Sequence, residues 1–248
     1  MMRLGFLLSA GVLLSVCAHA DFVAYDDADE AMYANNNTFY NGQNGGSGFS
    51  AWTNGVSGKM ETVGLQELSG LHYWKISDAQ TLYRPFADSV GFSQGVLSLK
   101  VLHQDGGSVL LTSSENETLL TIETGTFWDE DDYEMAAGFI LTSGEATTYV
   151  RSDYATENVI DYTIEWNTEQ QTYEFQAVID ISEYLPSITN TVSGALAFLT
   201  EIGGIGFSTK DDEALHFDEI GVVPEPAAIS LVLLCSGGML FVKRRFYV

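Results

Sequence analysis

Val159-Ile160-Asp161-Tyr162-Thr163-Ile164-Glu165-Trp166, a polar break over 167–171, then Tyr173-Glu174-Phe175-Gln176-Ala177-Val178-Ile179: this stretch decides the fold class. In the first run Tyr162, Ile164 and Trp166 share one face of an extended strand, and Thr163 and Glu165 share the other, because successive strand side chains point to opposite faces. In the second run Tyr173, Phe175, Ala177 and Ile179 stand against Glu174 and Gln176. Period two on both sides of a short polar break predicts an antiparallel hairpin with one buried face.

Outward from this hairpin the signature repeats. Leu71–Ile76, Val96–Leu102, Val109–Thr112, Thr118–Thr124, Ala137–Thr142 and Thr147–Arg151 are short β-branched or aromatic runs separated by Gly, Asn, Asp and Ser, the pattern of strands and turns. Gly203–Ser208 and Leu215–Val222 supply the last strands. Residues 188–199 fit either a short helix or another strand. With almost no amphipathic helix and no internal repeat, the chain reads as all-β, a two-sheet antiparallel β-sandwich.

Residues 35–48 are rich in Asn and Gly, which form turns and tolerate positive φ. Phe49-Ser50-Ala51-Trp52 follows and reads as a loop delivering aromatic rings to a core. No Lys-Ser or Lys-Thr follows the glycines, so the stretch is not a phosphate cradle.

The two ends are targeting segments. Arg3, an apolar run from Leu4 to Val16 and Ala18-His19-Ala20 have the order of a secretory signal peptide, with Ala18 and Ala20 marking the cleavage site. Cys17 follows Val16, a residue too large to precede a lipidated cysteine. At the other end, residues 227–242 carry no charge and Lys243, Arg244 and Arg245 follow. Sixteen residues as a helix reach roughly 24 Å, short of the ~30 Å hydrocarbon core, but snorkelling and bilayer thinning close such gaps. The basic cluster is a cytoplasmic membrane stop. Pro224 and Pro226 hold 223–225 extended.

This order of parts, Val223-Pro224-Glu225-Pro226, a short apolar helix over 227–242 and a terminal basic cluster, resembles the PEP-CTERM sorting signal of bacterial exosortase substrates. The resemblance implies export, recognition by an exosortase in the inner membrane, removal of the tail near the motif, and association with exopolysaccharide, biofilm or the cell surface. The opening Gly45-Gly46-Ser47-Gly48-Phe49-Ser50-Ala51-Trp52 and the closing Leu215-His216-Phe217-Asp218-Glu219-Ile220 are similar to the ends of PEP-CTERM ectodomains, which implies a concanavalin A-type jelly roll. The expected division is a signal peptide over 1–20, a sandwich over 21–221 and a sorting signal over 222–248. The expected course is a precursor held transiently in the inner membrane, then a surface or extracellular protein.

Charge and cysteine usage narrow the chemistry. Segment 21–223 holds six of the ten Lys and Arg and 33 of the 34 Asp and Glu, a net charge of −27. Such a field opposes nucleic acid and anionic lipid. Cys17 and Cys235 both lie outside it, so it has no disulfide, thiol nucleophile or thiolate metal site. Asp129-Glu130-Asp131-Asp132 is the densest acidic run, with Asp26-Asp27, Asp29-Glu30 and Asp211-Asp212-Glu213 as lesser ones. Calcium needs six to eight converging oxygens. Asp129, Asp131 and Asp132 are the candidate ligands, but no run has EF-hand spacing, and all read first as solvated loops. No cofactor is expected.

No catalytic residue stands out. The laminarinase-type Glu-x-Asp-x-x-Glu strand is absent, as are Gly-x-Ser-x-Gly and His-Glu-x-x-His. His72, His103 and His216 are isolated in sequence and read as structural. Three function classes remain: an exported matrix protein without catalytic activity, a carbohydrate-binding module with exposed aromatics on a sheet face, and a glycoside hydrolase. A row of exposed rings marks the second. A convergent buried carboxyl pair marks the third.

Overall fold

The computed structural model describes residues 24–27, 46–54, 64–68, 71–77, 79–89, 91–104, 106–129, 134–152, 154–155, 158–179, 186–210 and 212–224. The signal-peptide residues Ala18 and Ala20, and Glu225, Pro226, Lys243, Arg244 and Arg245 of the tail, lie outside them. No helix among the described residues is long and apolar enough to cross a membrane.

In chain order the strands are β1 (Ala24–Asp26), β2 (Thr53–Asn54), β3 (Gly64–Leu68), β4 (Leu71–Ser77), β5 (Thr81–Pro85), β6 (Gln94–Gln104), β7 (Ser108–Thr112), β8 (Thr118–Asp129), β9 (Glu134–Ser143), β10 (Ala146–Arg151), β11 (Val159–Asn167), β12 (Thr172–Ile179), β13 (Ile188–Ala195), β14 (Gly204–Ser208) and β15 (Ala214–Pro224). They form two sheets. The first runs β13-β12-β11-β6-β15-β4-β3, with β1 also on β15, and the second runs β10-β9-β8-β7-β14-β5-β2. Every pairing is antiparallel.

The predicted hairpin is β11–β12, with Tyr162 opposite Ala177, Ile164 opposite Phe175 and Trp166 opposite Tyr173. All six are buried, while Glu165 and Glu174 are exposed. In the connecting turn Asn167 Oδ1 accepts the Gln170 amide at 2.8 Å, the local bond that makes Asn a turn former. Residues 188–195 resolve as strand β13 on the edge beyond β12. Its β-branched Ile188, Thr189, Thr191 and Val192 suit a pleated surface. Gly194 lies opposite Tyr173, where an added Cβ would meet Tyr173 Oη at 2.3 Å.

The two sheets meet through rings. Phe207 on β14 stacks on Phe217 of β15 with centroids 3.7 Å apart. Phe139 on β9 meets Tyr162 and Phe175 edge-on at 5.8 and 5.3 Å, and Trp52 meets Trp74 at 5.4 Å. Such pairs add about 0.5–1.5 kcal/mol each beyond burial. Phe49 and Trp52 are both buried, so the loop after the glycines does bring rings to the core.

β5 and β1 carry charge inward. Arg84 and Asp26 have no exposed side-chain area and form an ion pair at 2.5 Å. Arg84 also donates to the Ser50 carbonyl and lies over Phe49 and Trp52, 5.2 and 4.9 Å from the ring centroids. The pair joins the first sheet to the second.

His103 is fully buried in β6. Its Nδ1 donates to the Gly107 carbonyl at 3.1 Å and its Nε2 accepts from the Tyr162 hydroxyl at 2.7 Å. Burial lowers its pKa to about 4 against the backbone bonds that favour charge. Burial, then the Lys75 charge, lowers His216 to about 4 as well. Both are neutral in the fold and protonated in the unfolded chain below about pH 6.5. Stability from them is therefore complete above pH 6.5 and falls as pH drops towards 4, by about 3 kcal/mol for each histidine. Urea midpoints between pH 7 and pH 4 should fall less steeply in His103→Gln than in the parent. Parallel curves would remove His103 from this account.

β15 bulges between Asp218 and Gly221. Glu219 there has φ 49° and its side chain pairs with Lys100. The strand runs past the expected Val222: Val223 is registered on Val96 and Pro224 on Gly95. Antiparallel to it, β1 sets Ala24 opposite Val222. The chain therefore enters β1 and leaves β15 at the same end of the first sheet.

Candidate functional site

The outer face of the second sheet carries a patch of rings. Its rows are set by register: Glu123 opposite Ile140 and Ile140 opposite Tyr149; Gly125 opposite Gly138 and Gly138 opposite Arg151; Phe127 opposite Ala136. Phe127 and Tyr149 are thus two strands and two rows apart in register. Their ring centroids are nonetheless 4.8 Å apart at 32°. Gly125 and Gly138 bring no side chain to the row between the rings. A Cβ on Gly125 would come within 3.2 Å of Ile140 Cδ1. Tyr149 is 54% exposed.

Around this platform lie hydroxyls and charges of both signs. Thr142 and Thr147 hydroxyls stand 3.4 Å apart. Glu123 accepts from Ser108 at 3.4 Å and pairs with Lys210 at 3.3 Å. Arg151 is exposed at the end of edge strand β10. At the far end of β8 and β9, Trp128 is registered on Met135, and both are over half exposed.

The outer face of the first sheet is charged instead. Asp161, Lys100 and Asp218 form one cross-strand row. A cavity of about 300 Å³ opens at the β11–β12 turn, lined by Glu165, Asn167, Gln170, Thr172, Glu174 and Ser193 among others. Glu165 and Glu174 stand directly opposite each other, but both are exposed, unlike a carboxyl held in an apolar pocket to act as an acid.

The sequence-predicted residues fall elsewhere. Asp129 ends β8 opposite Glu134, while Asp131 and Asp132 lie outside the described residues. Among the described residues no three His, Cys, Asp or Glu gather around a metal position. Asp26 serves the buried ion pair, and Glu213 Oε2 accepts the Lys210 amide at 2.8 Å in a turn. His72 lies in β4, whereas His103 and His216 are core-facing or covered and buried. Val223 and Pro224 are the last residues of β15. Phe127 and Tyr149 were not visible as a site, since only the register across three strands unites them.

The class defined here is an all-β sandwich of two antiparallel sheets, with an exposed Tyr149 packed on a half-buried Phe127. No protein-family model and no curated protein matches the chain. Among solved structures it is similar to a sialidase, at 10% identity and a TM-score of 0.48, covering 82% of this chain and 19% of that one. It is also similar to peanut lectin, at 8% identity and a TM-score of 0.46, covering 76% and 96%. A seed lectin of Lotus tetragonolobus gives 9% identity and a TM-score of 0.45, covering 76% and 99%. This chain thus spans about a fifth of that sialidase's length. The class stands on strand pairing, not on these likenesses.

Proposed function

We propose that this chain is an exported, non-catalytic surface protein that holds exopolysaccharide on the Phe127–Tyr149 platform of a concanavalin A-type jelly roll. The observation that carries the reading is the pair of rings, 4.8 Å apart on an open sheet face. Sugar rings present apolar C–H faces that stack on aromatic side chains, while hydroxyls meet flanking polar groups. The tail supports the surface destination: its motif, apolar run and basic cluster resemble an exosortase sorting signal, which makes the exosortase a processing partner and the inner membrane a transient one.

The test is affinity electrophoresis or calorimetry of the mature chain against the host's own exopolysaccharide. Tyr149→Ala is expected to weaken binding by about tenfold or more, the loss typical of a central aromatic anchor. Phe127→Ala should do the same by removing the ring that Tyr149 packs against. Unchanged binding in both variants would end the platform reading. Release of reducing sugar by the parent would replace it with the hydrolase.

A further inference from the structure

We infer that the loop carrying Phe198 and Leu199 rests on the lipid surface while the precursor is membrane-bound; this rests on the tail being a membrane span. Pro224 is registered on Gly95, Gly95 on Trp166, Trp166 on Tyr173 and Tyr173 on Gly194. One row of the first sheet therefore joins the point where the tail leaves to the last turn of β13. Beyond that row come the turn over 168–171 and the loop over 196–201, tied by the Leu196 amide donating to the Gln171 carbonyl at 2.8 Å. Phe198 is 37% and Leu199 69% exposed in that loop.

Chain length fixes the distance to the membrane. Only Glu225 and Pro226 separate β15 from the apolar run that starts at Ala227. Three peptide steps, from Pro224 to Ala227, reach at most about 11 Å. At the other terminus, residues 21–23 alone separate the signal-peptide junction from β1, which enters at the same end. Both apolar segments thus leave from one end of the sandwich, and that end lies against the lipid headgroups. The platform's Phe127 and the Trp128–Met135 pair lie towards the opposite end of the strands, turned away from the membrane.

The contact is held by the tether and not by affinity. Glu115, Glu117, Glu145, Glu169 and Glu201 are exposed around the same end, so anionic lipid repels it. Two apolar side chains supply a small favourable burial in the interface.

The experiment uses the chain from Asp21 with Cys235→Ser and an environment-sensitive fluorophore on Leu199→Cys, reconstituted in phosphatidylcholine vesicles bearing a lipid nitroxide. Quenching and a blue shift are expected. Both should be lost when about 20 Gly and Ser residues are inserted after Glu225, and in a chain ending at Pro224. A fluorophore on Tyr149→Cys should remain unquenched. If the full chain fails to float with vesicles, the membrane-span reading fails and the inference with it. If it floats and the Leu199 position stays unquenched, or stays quenched with the spacer, this inference alone is overturned.

Discussion

Replacing Asp26 with alanine is expected to destabilise the sandwich by about 3–5 kcal/mol, the cost of breaking a fully buried ion pair. Asp26 and Arg84 are both wholly buried, so the remaining guanidinium has no water to turn to. Its contacts with the Ser50 carbonyl and the faces of Phe49 and Trp52 stay but do not neutralise it. Domains hold about 5–15 kcal/mol in all, so one substitution removes a large share. Arg84→Met alone should cost a similar amount by leaving the carboxylate buried. The double variant Asp26→Leu with Arg84→Met should recover most of the loss, because apolar replacements of buried pairs are neutral or even stabilising. Urea unfolding of the four proteins gives the coupling between the two sites. A loss below about 1 kcal/mol for Asp26→Ala would mean water reaches the pair.

The same residues explain where sequence reading stopped. The β11–β12 hairpin was legible because Tyr162, Ile164 and Trp166 alternate with polar residues and all sit in the core. β5 was not, although Leu82, Arg84 and Phe86 alternate inward as regularly. A charge at a core position contradicts the pattern unless its partner is known, and Asp26 lies 58 residues away. The acidic run containing Asp26 invited a calcium reading for the same reason. Strand β13 stayed ambiguous because its period could not outvote a helix over so few residues. Its answer lay in the neighbouring β12, where Tyr173 leaves room only for Gly194. The platform was out of reach altogether. Phe127 and Tyr149 are 22 positions apart in sequence and two strands apart in the sheet, and only the pairing of β8, β9 and β10 brings them together. The expected targeting segments rest on linear order and composition alone, and Ala18, Ala20 and the tail from Glu225 lie outside the described residues.

Replacing Pro224, Glu225 and Pro226 together with alanine is expected to abolish processing, leaving a membrane-retained precursor that keeps Val248. Val222 is 1% exposed, and Val223 and Pro224 are registered on β6. The first half of the motif is therefore strand, and a protease acting on a folded precursor has to cut beyond Pro224. Pro226 keeps the residue before it extended, and alanines in place of both prolines favour continuing the apolar run as helix. The recognition segment would then be lost even though the membrane span lengthens. Asp131→Asn and His103→Gln lie far from the motif in sequence and should be processed normally. Mass spectrometry of the protein from its own host reads the result directly. A parent protein that retains Val248 would make the tail a permanent anchor, and cleavage upstream of Pro224 would require β15 to leave the sheet before the enzyme acts.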